Sequence, residues 1–307
     1  MKKSIFAVAL ILGATSTTLA QDKQYTPVAG DWAISIDANP FLNYLGNFIG
    51  GTDANDAPTW NHLSNNQRII GKYFVADDMA YRAGIRLDLG GDSEKNMVAD
   101  RASTADPAWP STDVMVENSA KYRETNIALT GGLEWRKGKG RLQGFYGGEL
   151  GVSIGSMKDS YTYGNALTSS AATNAVNVDA ADDFTGGQLP SSLANGTDGI
   201  GNPYLGRILE DKSGMSFGLG IRGFIGAEYF VLPKLSIGGE FGWGLVFMSN
   251  GASSTTHEAV GTTFGGTSDG VQEVTDEGDK SSEFGFDTDN NNAVFGSAAT
   301  LKMTFHF

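Results

Sequence analysis

The hydrophobic and polar positions of this 307-residue chain alternate with a period of two in eight separate stretches. The end of the chain shows this most plainly. From Ala299 onward one set of alternate residues (Ala299, Leu301, Met303, Phe305, Phe307) is apolar, and from Thr300 the other (Thr300, Lys302, Thr304, His306) is polar. A period of two means a β-strand with one apolar and one polar face. The same pattern predicts strands at residues 31–44, 67–75, 79–90, 122–136, 141–154, 213–230, 235–248 and 293–307. Residues 79–90 are the cleanest: Tyr81, Ala83, Ile85, Leu87 and Leu89 share one face, Arg82, Arg86 and Asp88 the other. Pro40 interrupts the first strand, where a missing N–H predicts a bend or bulge.

The connections fall into two classes. Those at 76–78, 137–140 and 231–234 are short; those at 47–66, 91–121, 155–212 and 249–292 are long, and the two kinds alternate without a break. An antiparallel barrel with both ends on one side of a membrane has this arrangement, with short turns inside and long loops outside. Each strand is long enough to cross a bilayer at a tilt of about 45°. The aromatics lie toward strand ends: Trp32, Tyr81, Trp135, Tyr229, Phe305 and Phe307 at one end, Tyr44, Tyr122, Phe247 and Phe295 at the other. Two such girdles are expected at the two interfaces of a membrane.

Lys2 and Lys3, the apolar run from residue 5 to 14 and Thr18-Leu19-Ala20 read as a secretion signal, with the mature chain expected to begin at Gln21. The apolar run is too short to span a bilayer as a helix. There is no cysteine, so neither a disulfide framework nor thiol chemistry is available. A secreted bacterial chain whose terminal strand ends in phenylalanine resembles the small outer-membrane β-barrels, similar in build to the OmpA-transmembrane, OmpX and OmpW groups. Residues 32–50, with the core Asn-Pro-Phe-Leu-Asn-Tyr-Leu-Gly, resemble the opening strand of small barrels of the Bacteroidetes. The resemblance implies an all-β, transmembrane, antiparallel up-and-down β-barrel of eight strands, forming a single domain over residues 21–307. It also implies a bacterial outer-membrane location with both termini periplasmic. Phe305 and Phe307 would be the signal read by the barrel-assembly machinery, and membrane lipid and lipopolysaccharide would be the other partners.

Charge is unevenly spread. The chain carries 35 acidic and 22 basic residues. The four long connections hold 24 of the acidic and 7 of the basic, so the acidity belongs to the loops. Acidic loops stay hydrated and resist adhesion to an anionic surface, which is the favoured reading; the alternative is that they bind divalent cations. Asp287, Asp289 and Asn291 place oxygen ligands at alternate positions, as calcium loops do, but lack the glycine and glutamate of an EF-hand. The other charged set faces the lumen: Arg82, Arg86, Arg222 and Lys302 against Asp88, Glu124, Glu134, Glu149, Glu228 and Glu240. Eight strands leave an interior just wide enough for side chains. These charges are therefore expected to pair and plug it, with a narrow ion path as the alternative.

Candidate chemistry is sparse. The histidines are His62, His257 and His306, and HExxH, GxSxG and CxxC are absent. His257, beside Ser253, Ser254, Thr255 and Thr256, is the one place for a hydroxyl–histidine pair of a lipid-modifying enzyme. The acidic surface argues against nucleic acid. The pattern favours a non-enzymatic surface protein whose loops meet a protein partner or a host surface. A conduit for small apolar or ionic solutes, through the lumen or a lateral gap, is the alternative, and a lipid-modifying enzyme the third reading.

Overall fold

A computed structural model describes residues 25–50, 67–100, 115–167, 205–262, 268–287 and 293–307. The expected signal segment at 1–20 and His62 lie outside these residues. In chain order the elements are β1 (Trp32–Asp37), α1 (Asn39–Gly50), β2 (Arg68–Ala76), β3 (Met79–Ala99), β4 (Met115–Lys139), β5 (Leu142–Thr162) and β6 (Leu205–Lys212). They continue with β7 (Ser216–Leu232), β8 (Leu235–Asn250), β9 (Ser254–Thr262), β10 (Ser268–Glu277), β11 (Ser281–Asp287) and β12 (Ala299–His306). Among the described residues no helix is long and apolar enough to cross a membrane, which says nothing of strands.

Eight of the strands close a ring. β1 pairs with β2, and pairing continues through β3, β4, β5, β7, β8 and β12 back to β1, antiparallel throughout. The seam is tied at its end by two backbone bonds, Trp32 N–H to Phe307 C=O and Phe307 N–H to Trp32 C=O, each 2.9 Å. Short turns join β2 to β3, β4 to β5 and β7 to β8 at the same edge of the ring. Gly140 (φ 70°) and Lys234 (φ 66°) take the left-handed conformation these turns need. The cost at Lys234, which carries a Cβ, is offset by its contacts: Lys234 Nζ lies 2.9 Å from Asp31 Oδ2 and its C=O accepts the His306 N–H. Partial burial alone would raise the Asp31 carboxyl. The Lys234 ammonium and the Val28 N–H outweigh it and hold the group below the ordinary aspartate range. A depressed carboxyl stabilises the fold above its unfolded pKa, and that contribution is lost as pH falls through the folded value.

Side chains alternate across the ring wall as the pleat requires. On β5, Gln143, Phe145, Glu149 and Ser153 are buried inside, while Leu142, Tyr146, Leu150 and Val152 are exposed outside. The other ring strands follow the same rule, so the apolar face looks outward all the way round.

Three expectations are corrected. The first strand does not run to residue 44: β1 stops at Asp37 and α1 begins at Asn39. The Asp37 side chain accepts the Asn39 N–H at 2.8 Å, the Ala38 C=O accepts the Leu42 N–H at 2.9 Å, and Pro40 sits in the first turn, where its missing N–H costs nothing. Proline thus marks a helix start and not a bulge; Tyr44 belongs to that helix and not to a strand-end girdle.

The last strand does not begin at residue 293. β12 starts at Ala299, and the preceding segment turns at Gly296 (φ 76°) into the ring. There Val294 and Phe295 are buried against Val246, so Phe295 is not part of an outer girdle. Room is made by glycines: a Cβ at Gly151, Gly218 or Gly220 would run into Val294 or Phe295.

The long connections, finally, contain strands. β3, β4 and β5 rise past the ring, where β6 replaces β7 beside β5, and β9 and β10 complete a six-stranded wall. On the other side β8 changes partner, from β12 below Phe241 to β11 above Gly244.

Candidate functional site

The interior of the ring is a stack of three layers. At the turn edge lie Phe74, Phe230 and His306, with the imidazole 5.1 Å from the Phe230 ring and 5.8 Å from the Phe74 ring. Ser236 Oγ is 3.4 Å from His306 Nε2 and donates to Glu228 at 3.1 Å. At the far side lies the Val294–Phe295 plug.

Between them is an ionic core. Glu134 holds Lys72 at 2.8 Å, Arg136 at 3.3 Å and Arg82 at 3.4 Å. Glu149 holds Arg68 at 2.7 Å, Arg222 at 3.0 Å and Arg82 at 3.3 Å. Glu240 meets four cations: Lys302 at 2.5 Å, Arg82 at 2.8 Å, and Arg68 and Arg222 at 3.4 Å each. Glu228 is paired with Arg136. Aromatic faces complete the cages, with the Arg82 guanidinium 3.9 Å from the Phe224 centroid and the Lys72 ammonium 5.0 Å from that of Phe145. Glu134, Glu149 and Glu240 thus each sit among several bases, the condition under which buried charge is tolerable.

Alternation placed Arg82, Glu134, Glu149, Arg222, Glu240 and Lys302 on the inner face, and these six form one cluster. Glu228 joins it through Arg136, which sequence reasoning had left out along with Arg68 and Lys72. The signal for all three was present. Arg68, Ile70, Lys72 and Phe74 alternate on β2, and Arg136 lies two residues beyond Glu134. Arg86 is buried opposite Arg68, and Asp88 is half-buried beyond it. Glu124 is exposed and does not join the core, because β4 has by then risen past the plug. It lines, instead, a cavity of about 440 Å³ with Asn126, Ser156, Ser216, Asn250 and Asp279, and Ala293 at its side.

The remaining candidates are dispersed. His257 is buried on β9, 4.0 Å from Asp276 Oδ2. Burial pushes its imidazole below the ordinary value, against the pull of Asp276 and Asp211. The hydroxyls beside it are engaged elsewhere: Thr255 donates to Asp211 at 3.0 Å, and Thr256 and Thr275 lie 3.0 Å apart. Among the described residues His257 has no hydrogen-bond partner, so no hydroxyl–histidine pair is assembled there. Asp287 closes β11, and Asp289 and Asn291 lie outside the described residues.

Fold and interior together define an all-β chain whose antiparallel strands close on an ionic core. Among solved structures the chain is similar to the outer membrane protein OprG from Pseudomonas aeruginosa, at 9% identity and a TM-score of 0.30, over 92% of this chain and 99% of that one. No protein-family model and no curated protein matches it.

Proposed function

We propose that the chain is a non-enzymatic protein of the bacterial outer membrane, a plugged eight-stranded β-barrel that displays its working surface on the far side of the bilayer. One observation carries this reading: the molecule is inside out. Leu150 is 61% exposed, Trp32 56%, Ile221 54% and Leu129 51%, while Arg82, Glu134, Glu149 and Glu240 are 3% exposed or less. In water, exposed apolar surface costs about 25 cal/mol per Å², and a ring of it would drive aggregation. In lipid the same ring is the right solvent contact, and closure leaves no strand edge unpaired in hydrocarbon.

The edge with the short turns and the Trp32–Phe307 seam faces the periplasm in this reading. Outward aromatics gather there: Trp32 packs tilted against Tyr73 at 4.7 Å, Trp135 stacks on Tyr146 at 6.0 Å, and Tyr81 lies beside Tyr73 in register. The wall of β3, β4, β5, β6, β9 and β10, with the acidic connections, forms the outer surface. It serves adhesion, shielding or association with a larger complex.

Reconstitution tests the proposal. The protein should enter phosphatidylcholine vesicles in a protease-resistant form and leave a planar bilayer electrically silent, because the ionic core and the plug fill the lumen. A protein freely soluble without detergent overturns the membrane assignment; sustained ion steps replace the plugged barrel with the conduit. Phe307 is exposed and tied to Trp32, as a terminal strand offered to an assembly receptor would be. Deleting it should lower the amount of protein reaching the surface of intact cells, measured by surface labelling; an unchanged amount removes its role as a signal.

A further inference from the structure

The outer face of the rising wall carries a basic rung at odds with the chain's net charge of −13. Arg123 on β4 is directly opposite Lys158 on β5, and Lys158 is directly opposite Lys212 on β6. Neighbouring strands are about 4.8 Å apart, so three cations stand side by side across three strands. Lys121 adds a fourth, one outward position further along β4. All four are exposed. They share a face with Ile127 and Leu129 on β4 and with Ile154 and Val152 on β5, which is the lipid-facing side. The acids of this region lie mainly on the opposite face, where Asp159 and Asp211 are paired in register. Acids on the outer side are Glu210, bound to Lys158 at 2.6 Å, Glu117, bound to Lys95 at 2.8 Å, and Glu277, which stands opposite Ser254, itself opposite Lys212. Among the described residues Lys121, Arg123 and Lys212 make no ion pair.

Like charges directly opposite one another destabilise a sheet unless something neutralises them. The height of the rung says what does. Arg123 and Lys158 each stand four residues beyond the end of the continuous outward apolar stripe of their strand, at Ile127 and Ile154, with Met115 further out on β4. That is about 13 Å along the strand, or roughly 9 Å above the hydrocarbon at a tilt of about 45°. The rung is thus just above the headgroup layer, which adds about 5–7 Å on each side, and lysine and arginine side chains reach down into it along apolar stems. Guanidinium and ammonium groups bind phosphate through charge-assisted hydrogen bonds.

We propose that Arg123, Lys158 and Lys212, with Lys121 above them, form a clamp for the phosphates of an outer-leaflet lipid headgroup. This rests on the membrane reading above and adds to it a site, a ligand chemistry and a rotational position of the barrel against its lipid.

The test compares the wild-type protein with the triple variant Arg123→Gln, Lys158→Gln, Lys212→Gln, both inserted in phosphatidylcholine nanodiscs. The probes are lipid A bearing two phosphates, the same lipid with its phosphates removed, and inorganic phosphate. At roughly a factor of five per basic residue near a lipid surface, wild type should prefer the phosphorylated lipid by on the order of 100-fold. The triple variant should insert equally and lose that preference, and a Lys158→Arg variant should keep it. Equal binding of both lipids by wild type overturns the clamp, as does a triple variant that keeps the preference. Displacement of the lipid by an equal concentration of inorganic phosphate makes the rung a bare anion site and ends the headgroup assignment. Loss of thermal stability in the triple variant with an unchanged lipid preference assigns the residues to the chain's own acidic segments instead. Insertion is scored separately by protease resistance; if neither protein inserts, the membrane reading itself falls and takes the clamp with it.

Discussion

Replacing Glu240 with alanine should lower the unfolding free energy of the ring by roughly 3–5 kcal/mol, the usual result of removing one partner from a buried ionic set. Glu240 meets Arg68, Arg82, Arg222 and Lys302 at once, and its removal leaves all four buried and less compensated. Lys302 loses the most, because Glu240 is its ion-pair partner among the described residues. The measurement is equilibrium unfolding in urea, in detergent micelles. Glu124→Ala is the matched control, since Glu124 is exposed at the mouth and should change stability by less than about 0.5 kcal/mol. Glu240→Gln should fall between the two, and it keeps the comparison informative if the alanine variant does not fold. Equal stability of all three would mean that the interior charges are solvated and the core is not closed.

Leu129→Arg should cost about 2–4 kcal/mol for folding into a bilayer, the penalty for a cation near mid-depth on the lipid face. Leu129 is 51% exposed, flanked in register by Ile85 and Val152, well inside the apolar belt. The environment decides the sign of the test. In a water-soluble ring an exposed Leu→Arg change would be nearly neutral. The loss should therefore appear in vesicles, by urea unfolding, and an unchanged midpoint there would contradict the assigned facing.

The ring was legible in the sequence because a closed wall around an ionic interior imposes one apolar and one polar face on every strand. Residues 79–90 and 141–154 show this well: each outward residue named from alternation, such as Tyr81 or Leu150, is outward in the structure. The signal fades where its cause ends. On β3, residues 91–97 are exposed on both faces, so nothing imposes a period of two and the strand reads as loop. β11, exposed on both faces from Ser281 to Phe286, was missed for the same reason.

Two other failures have local causes. Pro40 was read as a defect in a strand, but with an Asp37 cap in front of it the same residue suits the first turn of a helix. Val294 and Phe295 alternate correctly with their neighbours, yet a turn at Gly296 carries both inward. Periodicity cannot report a reversal of direction. Of the interior, the acidic members and half the bases were found from the pattern. Arg68 and Arg136 were missed because a cation near a strand end or a turn reads as solvated; Lys72, in the middle of β2 and buried, shares its face with Ile70 and Phe74 and was overlooked.

The short first strand has a mechanical consequence. β1 is six residues long and β12 eight, against 21, 25 and 21 for β3, β4 and β5. The molecule is a tall folding screen fastened by a short hasp. Under load or denaturant the hinges between the tall panels should hold longest and the hoop should part first at the short panel β1, which is held by five register pairs to β12 and four to β2.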